Sequence, residues 1–170
     1  MQGHYPKCNW KAANAGAGLP RCVQTWFDAI TPKSLQEPLP SEEYWRDKVQ
    51  AAVDDCWAQG DEAHMTNIGQ SVPILEGAKS IKEDFVRFKR YQPGSAWRVK
   101  PLATCADGGT DLVHARWMCH KCWKDDDCAD GQLVFRTDRK SGRILSEDFQ
   151  CDRVEPADPK RWTNPTIDFL

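Results

Sequence analysis

Long apolar runs are missing from this chain. Its longest ones are only a few residues, whereas a bilayer crossing needs roughly 20, so no membrane span is expected. The first residues also lack the apolar core of a secretory leader. A soluble, intracellular protein is therefore the default expectation, and a targeting peptide already removed would change it to an organelle or the exterior. Blocks of one charge are missing too. The 23 basic residues face 25 acidic ones, giving a formal charge of -2. No Lys/Arg cluster offers the electrostatic footprint that a nucleic acid requires. Repeats and low-complexity tracts are also absent, which excludes solenoids and arrays.

At 170 residues one core with extensions is a better fit than two domains, each of which would struggle to bury enough surface. Eight cysteines exceed ordinary usage without reaching the density of a disulfide scaffold. The even count permits four disulfides, while the default compartment favours reduced, buried thiols.

Residues 1–40 read as an N-terminal arm with one short helix and a Pro-rich linker. Val23, Trp26, Phe27 and Ile30 stand at i, i+3, i+4 and i+7, which predicts a helix beginning near Arg21 after Pro20. Three prolines in 31–40 prevent any ladder from continuing there. Ser41 caps a longer helix with Glu42 and Glu43 in its first turn and Gly60 as its expected end. Its inner stripe is Trp45, Val49, Ala52, Val53, Cys56 and Trp57. A loop with a short strand fills 61–76. A further helix follows Gly77, with Ala78, Ile81, Phe85 and Phe88 inward and Lys82, Glu83, Arg87 and Lys89 outward.

From Ser95 the period changes to two. Strands over 97–105 and 111–118 flank Asp107-Gly108-Gly109, and strands over 132–137 and 143–151 flank Asp138 to Gly142. Helices followed by an antiparallel meander make the α+β pattern. Residues 154–170 read as an extended C-terminal arm. Tyr5, Trp10, Trp162 and Phe169 on the two arms need a surface to cover them, either this chain's core or a protein partner.

Chemistry concentrates in 110–128. Alternation puts Leu112, His114, Arg116 and Met118 on one face of a strand and Val113, Ala115 and Trp117 on the other. If the first face lines a cavity, His114 suits proton transfer near neutrality and Arg116 suits an enolate or carboxylate; otherwise that face meets solvent. Cys119-x-x-Cys122 is half of a zinc motif, which Cys128, His114, His120, Cys105 or Cys151 would have to complete. Free thiols fit the spacing better, as does a disulfide such as Cys122 to Cys128 in an oxidising compartment, while a redox-active pair is disfavoured because the motif does not open a helix after a strand.

Three fragments occur in a telling order: Gly77-Ala-Lys-Ser-Ile81 with Phe85, Asp107-Gly-Gly-Thr-Asp-Leu-Val113, and Lys140-Ser-Gly-Arg-Ile144 with Leu145 and Phe149. Over about 41–153 this order resembles the nuclear-transport-factor-2-like superfamily, with its SnoaL-like cyclases, ketosteroid isomerases and scytalone dehydratases. The resemblance implies helices packed in the concavity of a curved antiparallel sheet, a cone whose mouth holds a small apolar or polyketide-like molecule. It implies no organic cofactor. The activity would be a lyase or isomerase reaction using His and carboxylate acid/base chemistry, namely isomerisation, dehydration or cyclisation. Relatives carry a pocket carboxylate in or near the last strand, where Glu147 and Asp148 are nearest and Phe149 stands at the expected acidic position. His114, Arg116, Asp148, His64 and Tyr91 are the candidate catalytic residues, and Cys119, Cys122 and Cys128 the candidate metal ligands. Because members also include non-catalytic subunits, a scaffold that binds protein through its arms, a homodimer, and a zinc-stabilised interaction domain stay open beside the enzyme.

Overall fold

A computed structural model describes residues 5, 7–14 and 16–156. Helix α1 (Arg21–Ile30) buries the expected stripe of Val23, Trp26, Phe27 and Ile30. It stops where Thr31 becomes extended ahead of Pro32, as pre-proline sterics require. The Thr31 hydroxyl oxygen then accepts the Trp97 amide at 3.0 Å, tying the helix end to the sheet.

Helix α2 (Glu42–Cys56) begins with the Ser41 hydroxyl accepting the Tyr44 amide at 3.1 Å. It ends earlier than Gly60. Trp57 leaves the helix in an extended conformation and bridges to Ile144. The Trp57 amide donates to the Val53 carbonyl at 3.1 Å, and the Arg143 guanidinium and Gln59 amide donate to the carbonyls of Val53, Asp54 and Trp57, so side chains rather than a glycine complete this helix end. Gly60 instead opens a 3-10 turn at φ +70°. Its carbonyl would lie 3.3 Å from a Cβ on Gly77, which itself has φ +84°.

Gly77 opens helix α3 (Gly77–Tyr91), whose inner face carries Ala78, Ile81, Phe85 and Phe88 as expected. Lys89 differs from the expectation. It is fully buried, because the i+4 row from Ile81 through Phe85 reaches it, and its ammonium lies over the Trp45 ring at 4.0 Å.

Among the described residues the sheet has seven strands in the order β1-β4-β5-β6-β7-β2-β3. They are β1 (Lys11–Ala12), β2 (His64–Asn67), β3 (Leu75–Glu76), β4 (Ala96–Asp107), β5 (Thr110–His120), β6 (Asp127–Asp138) and β7 (Ile144–Pro156). The four long strands form the expected meander, and β2 pairs in parallel on β7, beside the parallel Trp57–Ile144 bridge. They run longer than the sequence pattern indicates. Cys119 and Cys128 sit within β5 and β6, and 154–156 extend β7 instead of starting an arm. Trp162, Ile167 and Phe169 lie outside the described residues.

The three α-helices among the described residues cover the concave face around a core in which Trp26, Trp57, Trp117 and Phe135 are buried, the α+β cone that was expected. Gly131 makes room for this packing. A Cβ there would fall 1.9 Å from the Gln150 carbonyl oxygen, which instead accepts the Trp117 indole N–H at 3.1 Å. On the convex face Tyr5, Cys8 and Trp10 pack on Cys105, Leu112 and Val134, so the described part of the N-terminal arm docks within the chain.

Candidate functional site

The cavity is set by an irregularity in β7. Thr137 pairs with Ile144 but Arg136 pairs with Ser146, so Leu145 is an extra residue in the ladder. A bulge of this kind exchanges the two faces of the strand from that point to the next irregularity, at Asp152. Counting by twos from the buried Ile144 arrives at Asp148; after the bulge Glu147 and Phe149 face the concave side, opposite Phe135 and Leu133.

A cavity of about 170 Å³ opens there, between the β2–β3 hairpin, α3, the start of β4 and the 121–126 loop. Met65, Leu75, Phe85, Phe88, Trp97 and Phe149 make most of its wall, Ile74, Asp84 and Trp123 contribute at more exposed positions, and Cys122 and Glu147 add reactive groups. The aromatic wall is continuous with the core. Phe149 stacks on Trp117 at 4.9 Å, Trp117 meets Trp97 at 5.3 Å, and Phe85 meets Trp26 at 4.8 Å. Such a chain of rings in contact fixes the shape of the wall.

Polar atoms are few in this wall. Glu147 is buried and its Oε2 has no hydrogen-bond partner among the described residues; the Trp97 indole nitrogen is also buried without one. Burial, with the nearby Asp148 charge in a lesser role, raises the Glu147 carboxyl to about 8, so it is mostly a neutral acid at pH 7. Asp84 stands toward the rim, where Arg87 pairs with it at 3.2 Å.

A second group of reactive side chains adjoins the cavity. Lys89 donates to the Ser95 carbonyl at 2.7 Å and to its hydroxyl oxygen at 2.8 Å. Burial lowers the ammonium to about 7, with Cys119 and Cys122 close enough to act on it in the opposite direction. Burial likewise pushes the Cys119 thiol well up, and its hydrogen bond with Cys122 adds to this.

None of the five residues expected to be catalytic lines the cavity. His114 is on the convex face, where its Nε2 donates to Gln132 Oε1 at 2.9 Å and Trp10 packs on its ring; burial holds it below the ordinary histidine value, with the Gln132 bond partly opposing. Arg116, on the same face, pairs with Asp130 at 3.3 Å, as does Arg153 at 2.7 Å. Asp148 accepts the Tyr5 hydroxyl. His64 faces a separate polar groove with Arg136, Ser141 and Arg143, and Tyr91 is 72 % exposed at the end of α3.

No disulfide joins any of the eight cysteines. Among the described residues no three His, Cys, Asp or Glu side chains converge as metal ligands. The Asp127 carboxylate organises the knuckle, accepting the Cys122, Trp123 and Lys124 amides at 2.9 to 3.3 Å.

Glu147 was legible in the sequence only as a carboxylate near the right strand, because nothing local marks Leu145 as the bulge. The contributions of Trp97 and Cys122 had no signal, since the two come together only through the β4–β5 pairing of Trp97 with Cys119.

No protein-family model and no curated protein matches the sequence. Solved structures do match. The Kfla4162 protein from Kribbella flavida aligns with a TM-score of 0.57 at 10% identity, over 79% of this chain and 88% of that one. A Methylobium petroleophilum PM1 protein with a cystatin-like fold aligns with a TM-score of 0.51 at 19% identity, over 82% and 77%. A chain of the C. albicans Mtr2–Mex67 M domain complex aligns with a TM-score of 0.50 at 13% identity, over 81% and 94%. At these identities the likeness is one of fold. No helix among the described residues is long and apolar enough to cross a membrane.

Proposed function

The chain has the fold of the nuclear-transport-factor-2-like superfamily, and from that premise we propose that its cavity binds a small, largely apolar molecule with which Glu147 exchanges a proton. One observation carries the reading: a carboxyl group is buried in an aromatic wall with Oε2 unpartnered. Leaving a buried polar atom unsatisfied costs about 1–3 kcal/mol, and a ligand hydroxyl or carbonyl would recover it. The volume of about 170 Å³ suits a molecule of about one ring, since a cavity of about 150 Å³ admits benzene.

As a neutral acid at pH 7, Glu147 donates to a carbonyl or protonates a leaving hydroxyl. Above about pH 8 it becomes a carboxylate held in an apolar site and abstracts a proton beside a carbonyl. Isomerisation, dehydration and cyclisation all consist of such steps. The indole N–H of Trp97 supplies a second donor for an oxygen that gains charge.

The test uses cyclohexanone as probe. Bound probe should raise the melting temperature, and NMR should show solvent deuterium entering its α-carbon faster than in buffer at pH 8.5. Glu147→Gln should retain binding and lose the exchange. Absence of any melting shift up to saturating probe would reject the pocket, and undiminished exchange in the variant would reject Glu147.

A non-catalytic scaffold is the second reading, favoured by the exposed Val72, Ile74 and Trp123, two of which line the cavity. Ile74→Ser with Trp123→Ser should then abolish an assembly seen by sedimentation, a homodimer included, with the fold intact.

A further inference from the structure

The make-up of the cavity wall says more about a ligand than its volume does. Phe85, Phe88, Trp97, Trp123 and Phe149 give it five aromatic side chains. Its charged side chains among the described residues are Asp84 and Glu147, both acids, and no lysine, arginine or histidine lines it there. Rings and carboxyl groups without a base are the setting in which an organic ammonium is recognised, because the ring quadrupole attracts a cation and a carboxylate answers its charge.

A wall shaped for hydrocarbon alone would have no use for Glu147. That side chain is 5 % exposed and its Oε2 has no partner among the described residues. Its cross-strand neighbours are Met65 on β2 and Phe135 on β6, neither of which carries a charge. The other titratable groups around it are Asp84 from α3, which Arg87 holds at 3.2 Å on the rim, and Cys122 from the 121–126 loop. Asp148, next in the chain, lies on the opposite face and accepts from Tyr5. No basic side chain is paired with Glu147 among the described residues, so its carboxyl stays neutral by burial until a cation arrives from outside. A positive charge at close range then favours the ionised form. Trp97 adds a second requirement: its buried indole N–H is also without a partner, and an acceptor oxygen on the same ligand would satisfy it.

Given this cavity as the site of proton exchange, the reading on which the inference rests, we propose that its ligand is a small alkylated amino alcohol or amino ketone, bound as the ammonium with the Glu147 carboxylate as counter-ion. A tertiary amine that enters neutral takes the Glu147 proton onto its nitrogen, so one neutral acid and one neutral base become an ion pair. A quaternary ammonium has no site for that proton, which then leaves for solvent. The N-alkyl groups match the Met65, Leu75 and ring surfaces of the wall, and the ligand oxygen accepts from Trp97. Because a quaternary nitrogen has no N–H, it leaves no donor unsatisfied in an apolar cavity.

The experiment titrates the full chain by calorimetry with choline, a little larger than the benzene that a cavity of about 150 Å³ admits, and with its neutral carbon isostere 3,3-dimethylbutan-1-ol. Glu147 titrates at about 8 without a ligand and is ionised in the choline complex, so choline should bind roughly tenfold or more tightly at pH 8.5 than at pH 6.5. Repeating the titration at pH 7 in buffers of different ionisation enthalpy should show about one proton released per choline bound. The isostere should bind more weakly than choline at pH 8.5, release no proton and gain nothing as pH rises. Glu147→Gln should abolish both the advantage of choline and the proton release while still binding the isostere, which reports an intact cavity. The pH series and the proton count need no variant. An isostere that equals choline at pH 8.5, a choline affinity level between pH 6.5 and 8.5, or an advantage that survives in Glu147→Gln would each overturn the proposal. Choline silent where cyclohexanone still raises the melting temperature would overturn the ammonium and leave the proton-exchange reading standing. Choline bound as expected with no deuterium entering cyclohexanone would do the reverse.

Discussion

The convex and concave sides of the sheet treat their reactive residues in opposite ways. On the convex face every named charge has a partner. Tyr5 donates to Asp148, His114 to Gln132, Gln132 to Asp152, and both Arg116 and Arg153 to Asp130. On the concave face Glu147 and Lys89 are sunk among aromatic rings, and their titration is displaced by burial before anything else. Glu147 and Asp148 are neighbours in sequence, so the difference comes from the side of the sheet. The Tyr5–Asp148 bond holds the arm on the sheet; the unpartnered Glu147 Oε2 is left for a ligand or a reaction, at a cost to stability.

Breaking the concave face should have the largest effect. Trp117→Ala removes a fully buried ring that contacts Trp97 and Phe149 and should cost about 3–5 kcal/mol by urea unfolding. Glu147→Gln comes next and gives a pH signature. In the unfolded chain the carboxyl titrates near 4.5 and in the folded chain at about 8. Between those values the folded protein holds a proton that the unfolded chain has lost, so wild-type stability falls as pH rises from about 4.5 to about 8 and is flat in this group above that. Each tenfold difference in proton affinity is worth about 1.4 kcal/mol. The glutamine variant should therefore gain stability over the wild type by up to a few kcal/mol at pH 8.5, with little difference at pH 4.5. Parallel curves for the two proteins would contradict the buried acid.

Lys89→Met tests the opposite slope. The lysine titrates at about 7 folded and near 10.5 unfolded, so over that window the unfolded chain holds the extra proton and wild-type stability rises with pH. Methionine should erase that rise between pH 7 and 9, which thermal unfolding at fixed ionic strength will show. The smallest effects are expected on the convex face. His114→Ala, which breaks one half-buried hydrogen bond, should cost about 1 kcal/mol and leave cyclohexanone binding unchanged. A binding loss beyond threefold would mean that the two faces are coupled.

Much of the architecture was legible because it rests on local rules. The stripe from Val23 to Ile30, the Ser41 cap, the Gly77 helix start and the Asp107-Gly108-Gly109 turn each act within a few residues, and their order was enough for the cone. The site was not legible in the same way. His114 and Arg116 are conspicuous as residue types, but alternation says only that they share a face, not which face the helices cover. Lys89 was read as solvent-facing because a lysine ordinarily is, although its spacing from Ile81 and Phe85 already placed it on the inner row.

By itself the sequence determined the helices, the meander and the absence of any long apolar or single-charge segment, since periodicity and turn chemistry are properties of neighbouring residues. Only the tertiary structure decided that Glu147 rather than Asp148 faces the cavity. That choice depends on one extra residue at Leu145, accommodated where Thr137 pairs with Ile144 and Arg136 with Ser146. A one-residue slip exchanges the two faces of a strand, and the partner strand that records the slip is distant in the chain.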